Sequence, residues 1–422
     1  MPSRNRRILI YSHDSFGLGH LLRCRAIAHS LVAHDPHISV LILSGSPIIG
    51  NFEFRERVDF VRLPGVIKLR NGEYTALKLS MDIEETVALR AAIILHTAAA
   101  FDPAVFIVDK EPHGLRGEVH ETLQMLKARG TTLVLGLRDI MDDPHLLAPE
   151  WKSKNVMPAL EELYDSIWVY GLPQICDPLE GVDVPASVRR KMVYTGYLKR
   201  LMSSGGPMAM EFPFTGRPYI MVTAGGGGDG AAMLDWVLRA YENDHDLPVP
   251  AFFVFGPFLD ADQQASFSAR IDRLDNVESI TFDTHPEALI ADAVGVVAMG
   301  GYNTFCEILS FDKRALIVPR TAPRLEQFIR AARAQDYGLV RMLVDDASDI
   351  TLPRIPDWRV MATALRHLPQ QALPSETVLP GLLDGLENVN RLVDMAIGRR
   401  LRLATDRANT GARMLRADRQ PG

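Results

Sequence analysis

At 422 residues the chain is long enough for two domains. Its 46 basic and 52 acidic residues give a formal charge of −6, a balance that calls for neither nucleic acid nor an anionic membrane as partner. The three cysteines, Cys24, Cys176 and Cys306, are odd in number and in no ligand spacing, which argues against a disulfide framework or a zinc site and fits a reducing cytoplasm.

Residues 1–7 run straight into the apolar I-L-I-Y-S, with no signal-peptide h-region. Short apolar runs then alternate with amphipathic stretches. The first half predicts strands over 7–12, 38–43, 57–63, 104–109, 131–137, 166–170 and 192–195, with helices over 19–33, 82–100, 115–129 and 156–164 between them. His96 and Asp102 interrupt the most apolar long window, so no transmembrane helix is expected. Residues 201–213 lose the periodicity and read as a linker. The pattern restarts with strands over 219–223, 250–255, 277–282, 294–298 and 315–318, and helices over 230–241, 261–274, 303–310 and 324–335. Residues 382–403 predict a last amphipathic helix, and 404–422, rich in arginine and poor in apolar residues, a disordered tail. Strand–helix alternation in both halves predicts an α/β protein with two doubly wound parallel domains, at 1–200 and 214–381, facing a central cleft.

Three strand–glycine–helix junctions carry the candidate chemistry. The first, I-L-I-Y-S-H-D-S-F-G-L-G-H, sets Gly17 and Gly19 before His20. The positive end of a helix disfavours an imidazolium, so His20 is suited to be a neutral general base; it could also simply cap or pack. The second, Y-I-M-V-T-A-G-G-G-G-D-G, contains Gly225, Gly226 and Gly227. Its G-x-G-x-x-G spacing lacks the acidic residue that a nicotinamide site needs at the end of the next strand, and no G-K-[ST] follows, leaving either a loop whose amides approach a diphosphate or a sugar, or a glycine-rich turn with no ligand. The third, M-G-G-Y-N-T-F-C-E, offers amides near Gly300, Gly301, Asn303 and Thr304 to a phosphate, and Glu307 one turn further to a ribose. The same residues allow a bland reading, because Thr304-x-x-Glu307 has the form of a capping box. Asp109-Lys110-Glu111 and Arg138-Asp139 end strands of the first half and are candidate acceptor ligands or a salt-bridged rim. Asp260-x-Asp262 opens a predicted helix and reads as an N-cap before it reads as a metal motif; no metal site is expected.

G-L-G-H-L-L-R-C, the glycine-rich opening of the second half, and G-G-Y-N-T-F-C-E-I-L followed by P-R-L-E-Q-F-I-R-A together resemble glycosyltransferases of the GT-B type. Nearest is family 28, which includes the peptidoglycan N-acetylglucosaminyltransferase; D-K-E-P-H-G-L-R-G-E and L-G-L-R-D-I resemble a bacterial subgroup of predicted glycosyltransferases. The resemblance implies a GT-B fold of two Rossmann-like domains and inverting transfer of a sugar from a nucleoside diphosphate sugar, UDP first, to a hydroxyl of a glycan, a lipid-linked or a small-molecule acceptor. It places Gly17, Gly19 and His20 beside the acceptor and the donor phosphates, Gly300, Gly301, Asn303 and Thr304 on the diphosphate and Glu307 on the ribose; His20 is the expected base, with Asp109 in reserve. It further places Glu326 and Gln327 on the donor sugar and Phe282 and Asp283 near the base; Lys110 and Arg138 stay the acceptor candidates that their strand ends suggest. No cofactor beyond the nucleotide-sugar co-substrate is implied. A cytoplasmic enzyme is expected, and a peripheral contact with the inner membrane face is compatible with it. The Gly17–Cys24 segment is nearer still to the nucleotide-sugar hydrolases of the pseudaminic acid pathway, which deliver water instead of an acceptor. A non-catalytic nucleotide-sugar sensor is the third reading.

Overall fold

The computed structural model describes residues 6–13, 18–68, 73–202, 213–226, 228–281, 286–344 and 356–417. Gly17, Gly227, Phe282, Asp283 and most of the predicted linker lie outside them.

In chain order the strands of the first half are β1 (Arg7–Ser12), β2 (Ser39–Ser44), β3 (Val58–Arg62), β4 (Val66–Lys68), β5 (Tyr74–Ala76), β6 (Val105–Asp109), β7 (Thr132–Arg138), β8 (Ser166–Tyr170) and β9 (Met192–Tyr194). Those of the second half are β10 (Ile220–Thr223), β11 (Ala251–Val254), β12 (Val277–Ile280), β13 (Gly295–Ala298), β14 (Arg314–Ile317) and β15 (Arg341–Met342). They form a seven-stranded sheet ordered β3-β2-β1-β6-β7-β8-β9 and a six-stranded sheet ordered β12-β11-β10-β13-β14-β15. All pairs within both sheets are parallel, as between β1 and β6 and between β10 and β13. Runs such as V-F-I-V-D in β6 and G-V-V-A in β13 are buried along their whole length, because helices cover both faces of each sheet.

The chain reverses its direction across the sheet between β1 and β6 in the first domain, and between β10 and β13 in the second. Ligands of doubly wound sheets bind at the carboxyl ends of the strands beside such a reversal. His20 follows β1, Asp109 ends β6, and the two other glycine junctions follow β10 and β13. The topology therefore brings every junction to a switch point.

Several elements depart from expectation. β4 and β5 pair as a short antiparallel hairpin, and three residues per strand leave no periodicity to read. The helix Pro144–Ser153 carries Pro149 in its interior and was not expected; nor was Trp358–His367, capped by Asp357. The last helix runs Gly385–Ala417, past the boundary expected at 403, so its arginine-rich end continues the helix up to 417. Arginine, alanine and leucine are good helix formers, which explains why polarity there does not mean loss of helix.

That helix returns to the first domain. Asn390 Nδ2 donates to Ser30 Oγ at 3.0 Å and Arg400 Nη1 to the Pro103 carbonyl at 2.5 Å. The crossing is close: Gly196 has φ +89°, and a Cβ there would lie 2.3 Å from the Gly381 carbonyl oxygen. A buried ion pair joins the domains more centrally. Arg330, on the helix Glu326–Asp336, grips Asp139 after β7 with bonds of 2.7 and 2.6 Å, and both side chains are at most 1% exposed. Among the described residues no helix is long and apolar enough to cross a membrane.

Candidate active site

Three helices begin at the cleft without a side-chain cap: Gly19–His34 after Leu18, Tyr302–Ser310 after Gly301, and Ala231–Asn243 after Gly230. Their first-turn N–H groups have no intrahelical partner, so each start is an electropositive donor cluster. The first two meet. Asn303 Nδ2 donates to the Gly19 carbonyl at 3.0 Å, across the domain boundary. The glycine loop closes on the same point, since a Cβ on Gly225, φ +66°, would sit 3.8 Å from Thr304 Oγ1.

The glycines differ in what they do. Gly300 has φ +78° and a Cβ there would lie 2.8 Å from Ile317 Cγ2, so the backbone itself demands glycine. Gly301, the N-cap, has φ −58° and open space where a Cβ would be. A side chain would fit there, and its lack leaves room for something to approach the amides. Gly230 is a packing residue, its virtual Cβ 2.2 Å from Ala224 Cβ, and Gly226 faces Phe258.

A cavity of about 820 Å³ runs between the domains over these helix starts. It is lined by Gly19, His20, Gly225, Gly226, Gly301 and Asn303. Thr304, Glu307, Gln327 and Arg138 also reach it. Gly300 lies behind this wall, its carbonyl accepting from Arg330 Nη1 at 2.9 Å.

His20 and Asp109, 89 residues apart, are in direct contact: His20 Nδ1 lies 2.5 Å from Asp109 Oδ2. Burial alone would raise the Asp109 carboxyl. Arg23, with Nε and Nη2 at 2.7–2.9 Å, and then His20 outweigh it and hold Asp109 well below the usual carboxylate range. An ionised carboxylate can only accept, so the proton sits on His20 Nδ1 and Nε2 is left bare. Burial lowers the His20 pKa, against the opposing pull of Asp109, so the ring is neutral at pH 7. Such an imidazole, oriented by a carboxylate, can accept a proton at Nε2. His13, buried beside it with ring centroids 5.7 Å apart, is held neutral by the same cause.

Glu307 falls in the interior of the helix Tyr302–Ser310, so it does not form the capping box its spacing allows. It is 9% exposed, and burial, reinforced by Glu287 and opposed by Arg200, pushes its carboxyl up to about 7. Arg200 Nη2 instead donates to Asn303 Oδ1 at 2.7 Å. Glu326 is committed: its oxygens accept from Arg138 Nη2 and Arg320 Nη2, both at 3.1 Å. These cations overcome a burial penalty and hold it at about 2. Gln327 Oε1 accepts from the Arg320 backbone N–H at 3.2 Å. Lys110 has φ +68°, its Nζ 3.8 Å from Glu111 Oε1, and is not part of the cavity wall. Asp260 caps its helix, accepting from the N–H groups of Asp262 and Gln263, and among the described residues no group of three potential ligands could hold a metal ion.

Sequence reasoning missed Arg23, Arg200, Arg330 and His13. Arg23 was legible, since it lies three residues after His20 on the same helix face. The others join the site through pairings that no local spacing encodes.

No family model matches the chain, and no curated protein matches it by sequence. Solved structures do. The calicheamicin glycosyltransferase CalG4 is 17% identical, with 94% of this chain and 99% of that one covered and a TM-score of 0.59. Medicago truncatula UGT71G1, complexed with UDP-glucose, is 12% identical, with the same coverage and TM-score. MurG of Acinetobacter baumannii is 12% identical over 92% of this chain and 99% of its own, with a TM-score of 0.53. The chain has the GT-B fold, two Rossmann-like domains facing a cleft.

Proposed function

We propose that the protein is an inverting, metal-independent glycosyltransferase that moves a sugar from a nucleoside diphosphate sugar, UDP first, to an acceptor hydroxyl. The observation that carries this reading is the His20–Asp109 dyad standing beside two uncapped helix starts that meet in the cleft. The complexes of UGT71G1 with UDP-glucose and of VinC with dTDP support it at the level of a shared fold.

In this reading His20 Nε2 takes the proton of the acceptor hydroxyl as its oxygen attacks the anomeric carbon. The bond to the diphosphate breaks on the opposite face, and the diphosphate leaves with the electron pair. The amides from Gly301 to Thr304 and the Arg200 guanidinium receive its charge. Asp109, fixed by Arg23, holds the tautomer and stabilises the imidazolium that forms. Glu307 accepts from the ribose hydroxyls. Because amides and guanidinium neutralise the leaving group, turnover in excess EDTA should equal turnover without it; an absolute need for a divalent cation, lost on mutating Asp260, would overturn that part.

The ribose role carries its own pH signature. The carboxyl of Glu307, at about 7 in the free protein, must ionise to accept from both hydroxyls. UDP should therefore bind about tenfold more weakly at pH 6 than at pH 8, with a plateau above. Glu307→Gln should flatten the profile. The linkage to folding runs the opposite way: the folded protein holds a proton the unfolded chain releases, so stability from this group is present near pH 4 and lost as pH rises through about 7. Calorimetric UDP titrations that give parallel profiles for both proteins would remove Glu307 from the ribose.

The resemblance of the Gly17–Cys24 segment to nucleotide-sugar hydrolases supports a second reading, with water in the acceptor's place at the same dyad. An oriented, neutral base speaks against a sensor, which needs none.

A further inference from the structure

Arg23 ties His20 to Asp109, and its surroundings do not all belong to one domain. Its Nε and Nη2 donate to Asp109, and Nη2 lies 3.1 Å from His20 Nδ1. The edge of the guanidinium is thus occupied by the dyad, and its remaining partner is aromatic. That partner comes from the second domain: Arg23 Cζ lies 5.4 Å from the centroid of the Tyr302 ring, at the start of the helix assigned to the diphosphate. Arg23 is 1% and Tyr302 4% exposed, so little water screens the attraction between cation and ring. The ring is itself held, with Arg330 Cζ 5.8 Å from its centroid and the Tyr197 ring stacked on it at 6.0 Å. Its Oη is buried with no hydrogen-bond partner among the described residues, so the residue offers a π face rather than a hydroxyl.

We infer that Tyr302 is a positioning residue for the base: it holds the Arg23 guanidinium where it grips Asp109, and so sets the alignment and basicity of His20 from across the domain boundary. The backbone N–H of Tyr302 is among the amides offered to the diphosphate, so the residue that receives the leaving group also aims the base. Asp109, Arg23, Lys110 and His13 are the charged and titratable groups around His20. Burial lowers the His20 pKa first, Asp109 opposes it, and the Arg23 charge adds to the lowering. Without the ring the guanidinium loses its cover and moves off the imidazole, which weakens both the tautomer lock and the suppression of the imidazolium. The inference rests on the reading of His20 as base and deepens it by naming what sets that base.

An NMR titration of the His20 ring in the full-length protein, beside UDP release from UDP-glucose with a bacterial glycan extract, tests it. Tyr302→Leu should raise the His20 midpoint toward the ordinary imidazole range and lower the rate roughly tenfold, part of the ~10²-fold that a misplaced group costs. Tyr302→Phe, which keeps the ring, should restore the wild-type midpoint and most of the rate. Should the Leu variant fail to fold, which the same spectra reveal, Tyr302→Met replaces it. In an Arg23→Lys background, which keeps a cation for Asp109 but no planar face, Tyr302→Leu should move the midpoint no further. An equal shift in both backgrounds means that the ring only fills space, and overturns the inference. So does an unmoved midpoint in the Leu variant, or a Phe variant that behaves like Leu. Wild-type protein that releases no UDP from any UDP-sugar overturns the reading of His20 as base, and this inference with it.

Discussion

Replacing His20 with Ala should lower turnover by roughly 10²–10⁴-fold, the range for loss of a general base, with UDP affinity unchanged. The separation follows from placement. His20 belongs to the first domain and touches Asp109 and Arg23, whereas Thr304, Glu307 and the glycine loop belong to the second. The pH profile adds a check that a packing role would not produce. The base must be neutral, and burial lowers its pKa from the ordinary imidazole value near ~6.5. The acid limb of kcat/KM should therefore lie below that value, with a flat rate above it. Asp109→Asn should move the limb and cut the rate, because the amide can donate to Nδ1 and stabilise the wrong tautomer. Full activity in the Ala variant would remove His20 from the chemistry.

Asp139→Asn should destabilise the fold by about 3–5 kcal/mol, the cost of leaving a buried charge unpaired. Arg330 would keep the Gly300 carbonyl and its place against the Tyr302 ring, 5.8 Å from its centroid, but would exchange two charged carboxylate oxygens for one neutral amide oxygen and an NH2 group that cannot accept. Tyr197 Oη, which donates to Asp139 Oδ2 at 3.0 Å, would compete with Arg330 for the one oxygen left. Since Gly300 precedes the helix assigned to the diphosphate, nucleotide affinity should fall with stability. Replacing both partners with apolar residues should recover much of the stability and none of the affinity, because an unpaired charge is removed while the loop anchor is lost. Urea denaturation of the three proteins, read beside UDP titrations, decides. A single variant within ~1 kcal/mol of wild type would mean that the pair does not hold the domains.

The fold was legible where burial on both faces imposes continuous apolar runs, as in β1, β6 and β13. It was not legible where elements are short, as in β4, β5 and β15, or where helix propensity rather than pattern carries the chain, as beyond residue 403. At the site, glycines and helix starts announce themselves locally, and the strand that follows fixes which end they occupy. Glu307 could be read as cap or ligand from spacing alone, and the observed start at Tyr302 removes the capping box. The contacts of Arg330 with Asp139 and of Arg200 with Asn303 span 191 and 103 residues and cross between domains, so nothing in a local window encodes them. The pairing of Glu326 with Arg138, 188 residues away, is of the same kind.

UDP release by the wild-type protein, measured on UDP-glucose and UDP-glucuronate with and without a bacterial lipid or glycan extract, tests the central claim most directly. A transferase should release UDP slowly alone and at least about tenfold faster once an acceptor is supplied, because His20 is placed to take a proton from a hydroxyl held opposite the diphosphate. Full-rate release without any acceptor, abolished by His20→Ala, would contradict transfer and establish hydrolysis at the same dyad.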